Sequence, residues 1–254
     1  MTLADFSIEF IFSIFLVFCR IGSAIMFMPG IGESFVSPAI RLCFALILSF
    51  IITPVVQNSI PIIPSSVIEL VLLIGAEITI GIALGMTLKI ILSAIHVLGM
   101  IVAYQSGLAS GMIFDPSQGN QGTFFGNFLT LLIVVVILAS DTHFILIKGL
   151  AESFHLINFG TYHEHYDSIT QMIIRSTSDA FNVGVKLSAP FIVSGLLLYL
   201  VSGVLSRLMP QLQIFFLMLP AQILMGFIIL LASLSGVVLW FISYYEETIL
   251  NTIT

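Results

Sequence analysis

The sequence predicts an all-α integral membrane protein, and three observations carry that prediction. Hydrophobic residues make up 59% of the 254-residue chain and charged residues only 8%, against about a quarter charged in an ordinary soluble domain. A soluble core of this size would leave too little charge to face water. Apolar residues also gather in tracts close to the roughly 20 residues that a bilayer-spanning helix needs. Within those tracts they run continuously and do not alternate, which argues against the strands of an outer-membrane barrel.

The elements follow in order. The first tract runs from Phe10 to Met28 and breaks at Pro29-Gly30-Ile31-Gly32. It is preceded by Met1-Thr2-Leu3-Ala4-Asp5 with no Lys or Arg, whereas a cleavable signal opens with positive charge, so the tract is expected in the mature protein. The second runs from Ile40 to Pro54, and Pro61 and Pro64 frame a short connector. The third is expected from Val67 to Leu88 and the fourth from Ile90 to Tyr104, with Lys89 between them. A glycine-rich stretch, Gln105 to Thr123, interrupts the pattern. Phe124 to Ala139 is apolar again, and Thr142 to Ile157 continues it as a semi-polar helix. Asn158 to Asp179 is the most polar segment of the chain. Ala180 to Leu205 and Gln211 to Tyr245 complete the apolar tracts, punctuated by Pro210 and Pro220.

Charge narrows the function classes. Seven Lys and Arg against thirteen Asp and Glu give a formal charge of −6. This leaves no basic stripe for a nucleic acid and no polybasic segment for anionic lipid. The basic residues are scattered singly, so the positive-inside rule assigns no orientation. Arg20, Glu69, Glu77, Lys89, Lys186 and Arg207 lie in or at the ends of apolar tracts. Each would cost about 2.5–3.5 kcal/mol facing lipid. The helices are therefore expected to pack on protein, some of it from other chains. Cys19 and Cys43 sit in apolar tracts and read as small buried hydrophobes. They build neither a disulfide framework nor a zinc site.

The motifs are sparse. Gly81-Ile82-Ala83-Leu84-Gly85 is a GxxxG pattern that lets a second backbone approach closely, within the chain or between subunits. Glu77 and Lys89 are candidates for ion relay in a secondary transporter, or a packed ion pair and a helix end. Twelve residues apart, they share no helix face. His163-Glu164-His165 lacks the i, i+4 spacing of a zinc protease and reads as an exposed polar loop. His143 and His155 read as interfacial or core residues. Gly107-Leu108-Ala109-Ser110-Gly111 is not a nucleophile elbow, and there is no phosphate-binding or dinucleotide motif. The expectation is a non-catalytic protein with no metal and no cofactor.

The stretch Gln105 to Thr123 is the most informative. It carries Gly107, Gly111, Gly119 and Gly122 around an Asp115-Pro116 turn signal, yet also Leu108, Met112, Ile113 and Phe114. An apolar, bendable loop between hydrophobic helices reads as a re-entrant or cavity-lining segment, with an ordinary surface loop as the alternative.

At these residues the chain resembles the FliR/SctT export-gate family of type III secretion systems. The resemblance runs through Arg20-Ile21-Gly22, Met28-Pro29-Gly30-Ile31-Gly32 and Pro38-Ala39-Ile40-Arg41. It continues through Gln105-Ser106-Gly107-Leu108-Ala109, Phe114-Asp115-Pro116 and Ser140-Asp141-Thr142-His143. Its most specific parts are Leu187-Ser188-Ala189-Pro190 and the run from Gly203 to Phe215 with Leu219-Pro220.

The resemblance implies a single export-gate domain of helical hairpins, with a FliP-like part over residues 1–165 and a FliQ-like helix hairpin over 166–254. It implies assembly with FliP and FliQ, one copy of this chain closing their ring in the bacterial inner membrane at the flagellar basal body. The polar segment Asn158 to Asp179 becomes a candidate dock for FlhB, and unfolded flagellar proteins the cargo. Gly107, Gly111, Met112, Ile113, Phe114, Asp115, Pro116, Gly119 and Gly122 would form the channel plug. Gly81, Gly85, Arg207, Pro210 and Gln211 would serve subunit packing. The injectisome branch of the family and a transporter using Glu77 or Lys89 are the alternatives.

Overall fold

The computed structural model describes residues 3–33, 35–108, 121–160, 162–211 and 213–253. Among the described residues are eight α-helices, one short 3-10 turn and no strand. They are α1 (Leu3–Ile25), α2 (Pro38–Val56), the 3-10 turn (Gln57–Ser59), α3 (Val67–Gln105), α4 (Gln121–Ala139), α5 (Thr142–Leu156), α6 (Tyr162–Leu187), α7 (Ala189–Leu208) and α8 (Ile214–Ile253). Five helices are long and apolar enough to cross a membrane. The pair α4 and α5 bends by 79° at its break and raises that number to six if it forms one span.

Local chemistry sets the helix ends. The Ser37 hydroxyl oxygen accepts from the Ile40 N–H at 3.4 Å and Pro38 occupies the first turn of α2, where its missing N–H costs nothing. Arg41 reaches back from α2 and donates to the Glu33 and Val36 carbonyls, closing the turn before the helix. The break between α4 and α5 falls at Asp141, whose φ of 60° takes the chain out of the right-handed helix.

Three expectations are corrected. Val67–Leu88 and Ile90–Tyr104 are one helix of 39 residues, about 58 Å long at 1.5 Å per residue. Lys89 does not break it, because lysine is a good helix former and neither Gly nor Pro stands beside it. The polar segment from Asn158 is largely helical, and His163 to Asp167 belong to α6, not to a loop. Ile169, Ile173, Ser176, Ala180 and Val183 recur at helical spacing and turn one face inward. The apolar tract Ala180 to Leu205 is two helices, since Ser188 ends α6 and Pro190 stands in the first turn of α7.

By contacts the chain forms two units. The first gathers Met1–Ile91, Ile137–Thr177 and Tyr245–Thr254, the second Leu92–Val136 and Ser178–Tyr244. In the first, Ile80 and Ala83 of α3 pack with Ile169 of α6, and Leu84, Ile157 and Ile173 close over them. Thr87 and Ile91 face Leu146 and Leu150 of α5 and Ile249 of α8 across an apolar cavity. In the second, Gly99 of α3 lies on Gly126 of α4, and Gly184 of α6 lies on Ala94 and Val97. Phe125 and Phe227 meet edge to face at 5.9 Å. In these seams a methyl group on the glycine would overlap backbone or side chain, which is why small residues mark helix contacts in apolar surroundings.

Much apolar surface stays uncovered. In the most apolar 18-residue stretches only 6% of residues within Phe216–Leu250 and 11% within Ala189–Leu208 are buried by the chain itself. That is the surface of a membrane protein, not of a soluble one.

Candidate functional site

Two constructions hold the functional side chains, one in each unit. The first is built on Arg20 in α1, which is fully buried. A guanidinium in an apolar interior must find charge and carbonyls close by. Its Nε donates to Glu77 Oε2 of α3 at 2.6 Å. Its Nη1 donates to the carbonyls of Ser153 and Ile157 at 2.9 and 3.0 Å. Ser153 lies in the last turn of α5 and Ile157 caps that helix, donating its N–H to the Ser153 carbonyl at 3.0 Å, so Arg20 adds a second donor there. The face of the guanidinium lies over Phe154 and Phe159, 4.3 and 5.3 Å from the ring centroids. One side chain thus ties α1, α3 and the end of α5 together.

Beside this tie the GxxxG pattern does its work. Gly81 faces the Arg20 carbonyl and the Ser23 hydroxyl, and Gly85 faces the Ala24 carbonyl and Phe27. The intrachain alternative accounts for both glycines. The close approach of α1 and α3 is also what brings Arg20 within reach of Glu77. Glu77 is the packed half of an ion pair, and Lys89, twelve residues further on, is exposed. Among the described residues, Thr142 at the start of α5 forms a second polar tie, donating to Glu246 Oε1 of α8 at 2.6 Å.

The second construction is the end of α3, the root of the segment that follows residue 108. The last turn of α3 closes on itself: Ser106 Oγ donates to the Val102 carbonyl at 2.7 Å and Gly107 N–H donates to the Tyr104 carbonyl at 3.2 Å. Gly107 has φ of 71°, a left-handed conformation that glycine adopts without strain and that ends a helix. Three consecutive residues then seat on α7 and α8. The Gln105 amide lies on Gly195, Ser106 Cβ lies on Gly226, and the Gln222 amide lies on Gly107. Ser106, Gly107, Gly195 and Gly226 are buried.

Of the residues expected in the plug, Gly107 is this anchor and Gly122 falls in the first turn of α4. Gly111, Met112, Ile113, Phe114, Asp115, Pro116 and Gly119 lie outside the described residues. Arg207, Pro210 and Gln211 are exposed around the turn from α7 to α8. His143 lies against Phe144 with ring centroids 4.2 Å apart, and His155 is exposed on the last turn of α5. Cys19 is half-buried and Cys43 is exposed on α2. The buried reading of Cys43 is therefore corrected, because α2 turns that side of its apolar surface outward. Sequence reasoning missed Gln222, Gly195 and Gly226. The available signal was a lone glutamine in a long apolar tract, just after Pro220.

Fold and site together define a multi-span helical membrane protein in which the end of α3 is seated in a buried seam of small residues. The chain matches the family model described as "Bacterial export proteins, family 1" over residues 11–248. It is 32% identical over 232 residues to the flagellar biosynthetic protein FliR of Caulobacter vibrioides, covering 91% of this chain and 92% of that one. It is 29% identical to FliR of Aquifex aeolicus over 94% of this chain and 92% of the relative. With FliR of Bacillus subtilis the identity is 27% over 87% and 85%. The chain belongs to the FliR/SctT family of bacterial export proteins.

Proposed function

We propose that this chain is a non-catalytic subunit of the flagellar type III export gate, joining FliP and FliQ in the conduit that carries unfolded flagellar proteins across the inner membrane. The family match over nearly the whole chain carries the reading. The poorly covered apolar faces of α7 and α8 support it, since neighbouring subunits would supply the missing partner surface. In this reading residues 1–165 are the FliP-like part and 166–254 the FliQ-like hairpin. Arg207, Pro210 and Gln211 make subunit contacts, and FlhB docks on the polar face around α6.

The segment after Gly107 closes the conduit between substrates. Met112, Ile113 and Phe114 suit that role, because apolar and deformable side chains exclude water and ions without binding any particular substrate sequence. Work comes from a partner ATPase or from the proton gradient, as the sequence offers no nucleotide motif. The test leaves the root intact: residues 109–120 are replaced by a short Gly-Ser linker in the assembled gate. Resting ion leak across the inner membrane should rise while the complex still purifies intact. Unchanged leak in an intact complex would refute the closing role.

A further inference from the structure

We infer that the cleft between the start of α1 and the chain after α2 binds the headgroup of a lipid with a primary ammonium, phosphatidylethanolamine, and that Glu9 selects it. The inference needs only that α1 and α2 cross the membrane, and it stands or falls apart from the export-gate reading.

The first two helices set the cleft. Phe10, early in α1, meets Phe50, late in α2, edge to face with ring centroids 6.4 Å apart, so the two helices run antiparallel. The apolar window of α1 opens at Ile8 and that of α2 closes at Val56. Glu9 and Gln57 therefore lie at the same face of the apolar layer, where the headgroups of a bilayer begin. Between them is a cleft of about 230 Å³, lined on one side by Glu9, Phe10 and Ser13 and on the other by Gln57, Ile60 and Pro61. That is below the roughly 300–1,000 Å³ of a site for a drug-sized molecule, so the cleft takes one small group.

Its chemistry favours a cation with N–H donors. Among the described residues that line the cleft, Glu9 is the only charged one, and its exposed carboxylate forms no ion pair with a described residue. Residues 1–19 and 42–88 contain no Lys or Arg. A headgroup of net negative charge would meet the carboxylate with no cation from these segments beside it. Ser13 donates its hydroxyl proton to the Glu9 backbone carbonyl at 2.7 Å and keeps its lone pairs, and the Gln57 amide offers an oxygen. Carboxylate, hydroxyl and amide are acceptors for the three N–H donors of a primary ammonium. The quaternary ammonium of a choline headgroup has none of those donors. The rest of the wall is apolar, and Ile62 in it is 92% exposed, a surface that the acyl part of the lipid would cover.

The test uses the purified full chain in detergent and counts retained lipid by native mass spectrometry. Phosphatidylethanolamine, phosphatidylcholine and phosphatidylglycerol with the same acyl chains compete in equal amounts. Phosphatidylethanolamine should be retained about fivefold over each of the others, the upper end for an ion pair at an exposed site. Glu9→Gln should abolish that preference. Glu69→Gln, at an exposed carboxylate in the first turn of α3 that does not line the cleft, should leave it unchanged. A second measurement needs no variant. In membranes containing phosphatidylethanolamine, which keep the chain in its own assembly, a carbodiimide joins a carboxylate to a touching amine as an amide with loss of water. The lipid should appear on the peptide that contains Glu9, in excess over the one that contains Glu69.

Equal retention of the ethanolamine and choline lipids would overturn the inference, and so would a preference that survives Glu9→Gln. Coupling of Glu9 to a lysine of another protein would overturn it as well, since the cleft would then be a subunit contact. If Glu9→Gln does not purify, the coupling decides, and no lipid on Glu9 overturns the inference.

Discussion

Removing the carboxylate of Glu77 tests the structural reasoning most sharply. Arg20 and Glu77 are buried, with Nε and Oε2 2.6 Å apart. At that distance two unit charges attract by about 6 kcal/mol for an effective dielectric constant near 20. Desolvation of both ions offsets most of it, so the pair itself adds little net stability. Deleting one partner is different, since it leaves a buried charge uncompensated at about 3–5 kcal/mol. Here Arg20 keeps the Ser153 and Ile157 carbonyls and the faces of Phe154 and Phe159. The lower end is therefore expected, about 3 kcal/mol for Glu77→Ala. Replacing both residues by apolar ones, Arg20→Met with Glu77→Leu, should cost less than Glu77→Ala alone. The assay is equilibrium unfolding in mixed micelles followed by circular dichroism. A loss below about 1 kcal/mol for Glu77→Ala, the range of an exposed pair, would refute the reasoning. So would a double variant that loses the sum of the two single ones.

Two further predictions use the same unfolding assay. Gly81→Ala should destabilise by about 1–3 kcal/mol because a methyl group there meets α1. Gly75→Ala, in the same helix with nothing within 4 Å of the added carbon, should be neutral or stabilising by about 0.5–1 kcal/mol. Equal effects at the two positions would contradict the α1–α3 seam. Thr142→Val should cost about 1.5 kcal/mol, because the Glu246 carboxylate loses the hydroxyl that donates to it. No loss would mean that the bond adds nothing to the hold of α5 on the end of α8.

The all-α, multi-span class was legible because it rests on composition and on continuous apolar tracts, which no long-range contact can alter. Helix limits were less so. A lysine between two apolar runs looks like a boundary by hydropathy, but the backbone responds to propensity, and Lys89 leaves α3 unbroken. The segment around Ile173 looked polar because only a narrow stripe of α6 is apolar. That stripe at helical spacing, not the mean polarity, was the usable signal. Arg20 and Glu77 each stood out as charges in apolar tracts, which says that each needs a partner but not which one. They are 57 residues apart in sequence, and the close approach at Gly81 that joins them is a property of the folded chain. Gln222 was hidden for a similar reason. One polar residue in an apolar helix gains meaning only from the Gly107 backbone opposite it.

The measurement closest to the central claim is native mass spectrometry of the tagged chain, extracted in mild detergent after co-expression with its FliP and FliQ. The account predicts a hetero-oligomer containing both partners and a single copy of this chain. A monomer or homodimer of this chain, with neither partner bound, would contradict it.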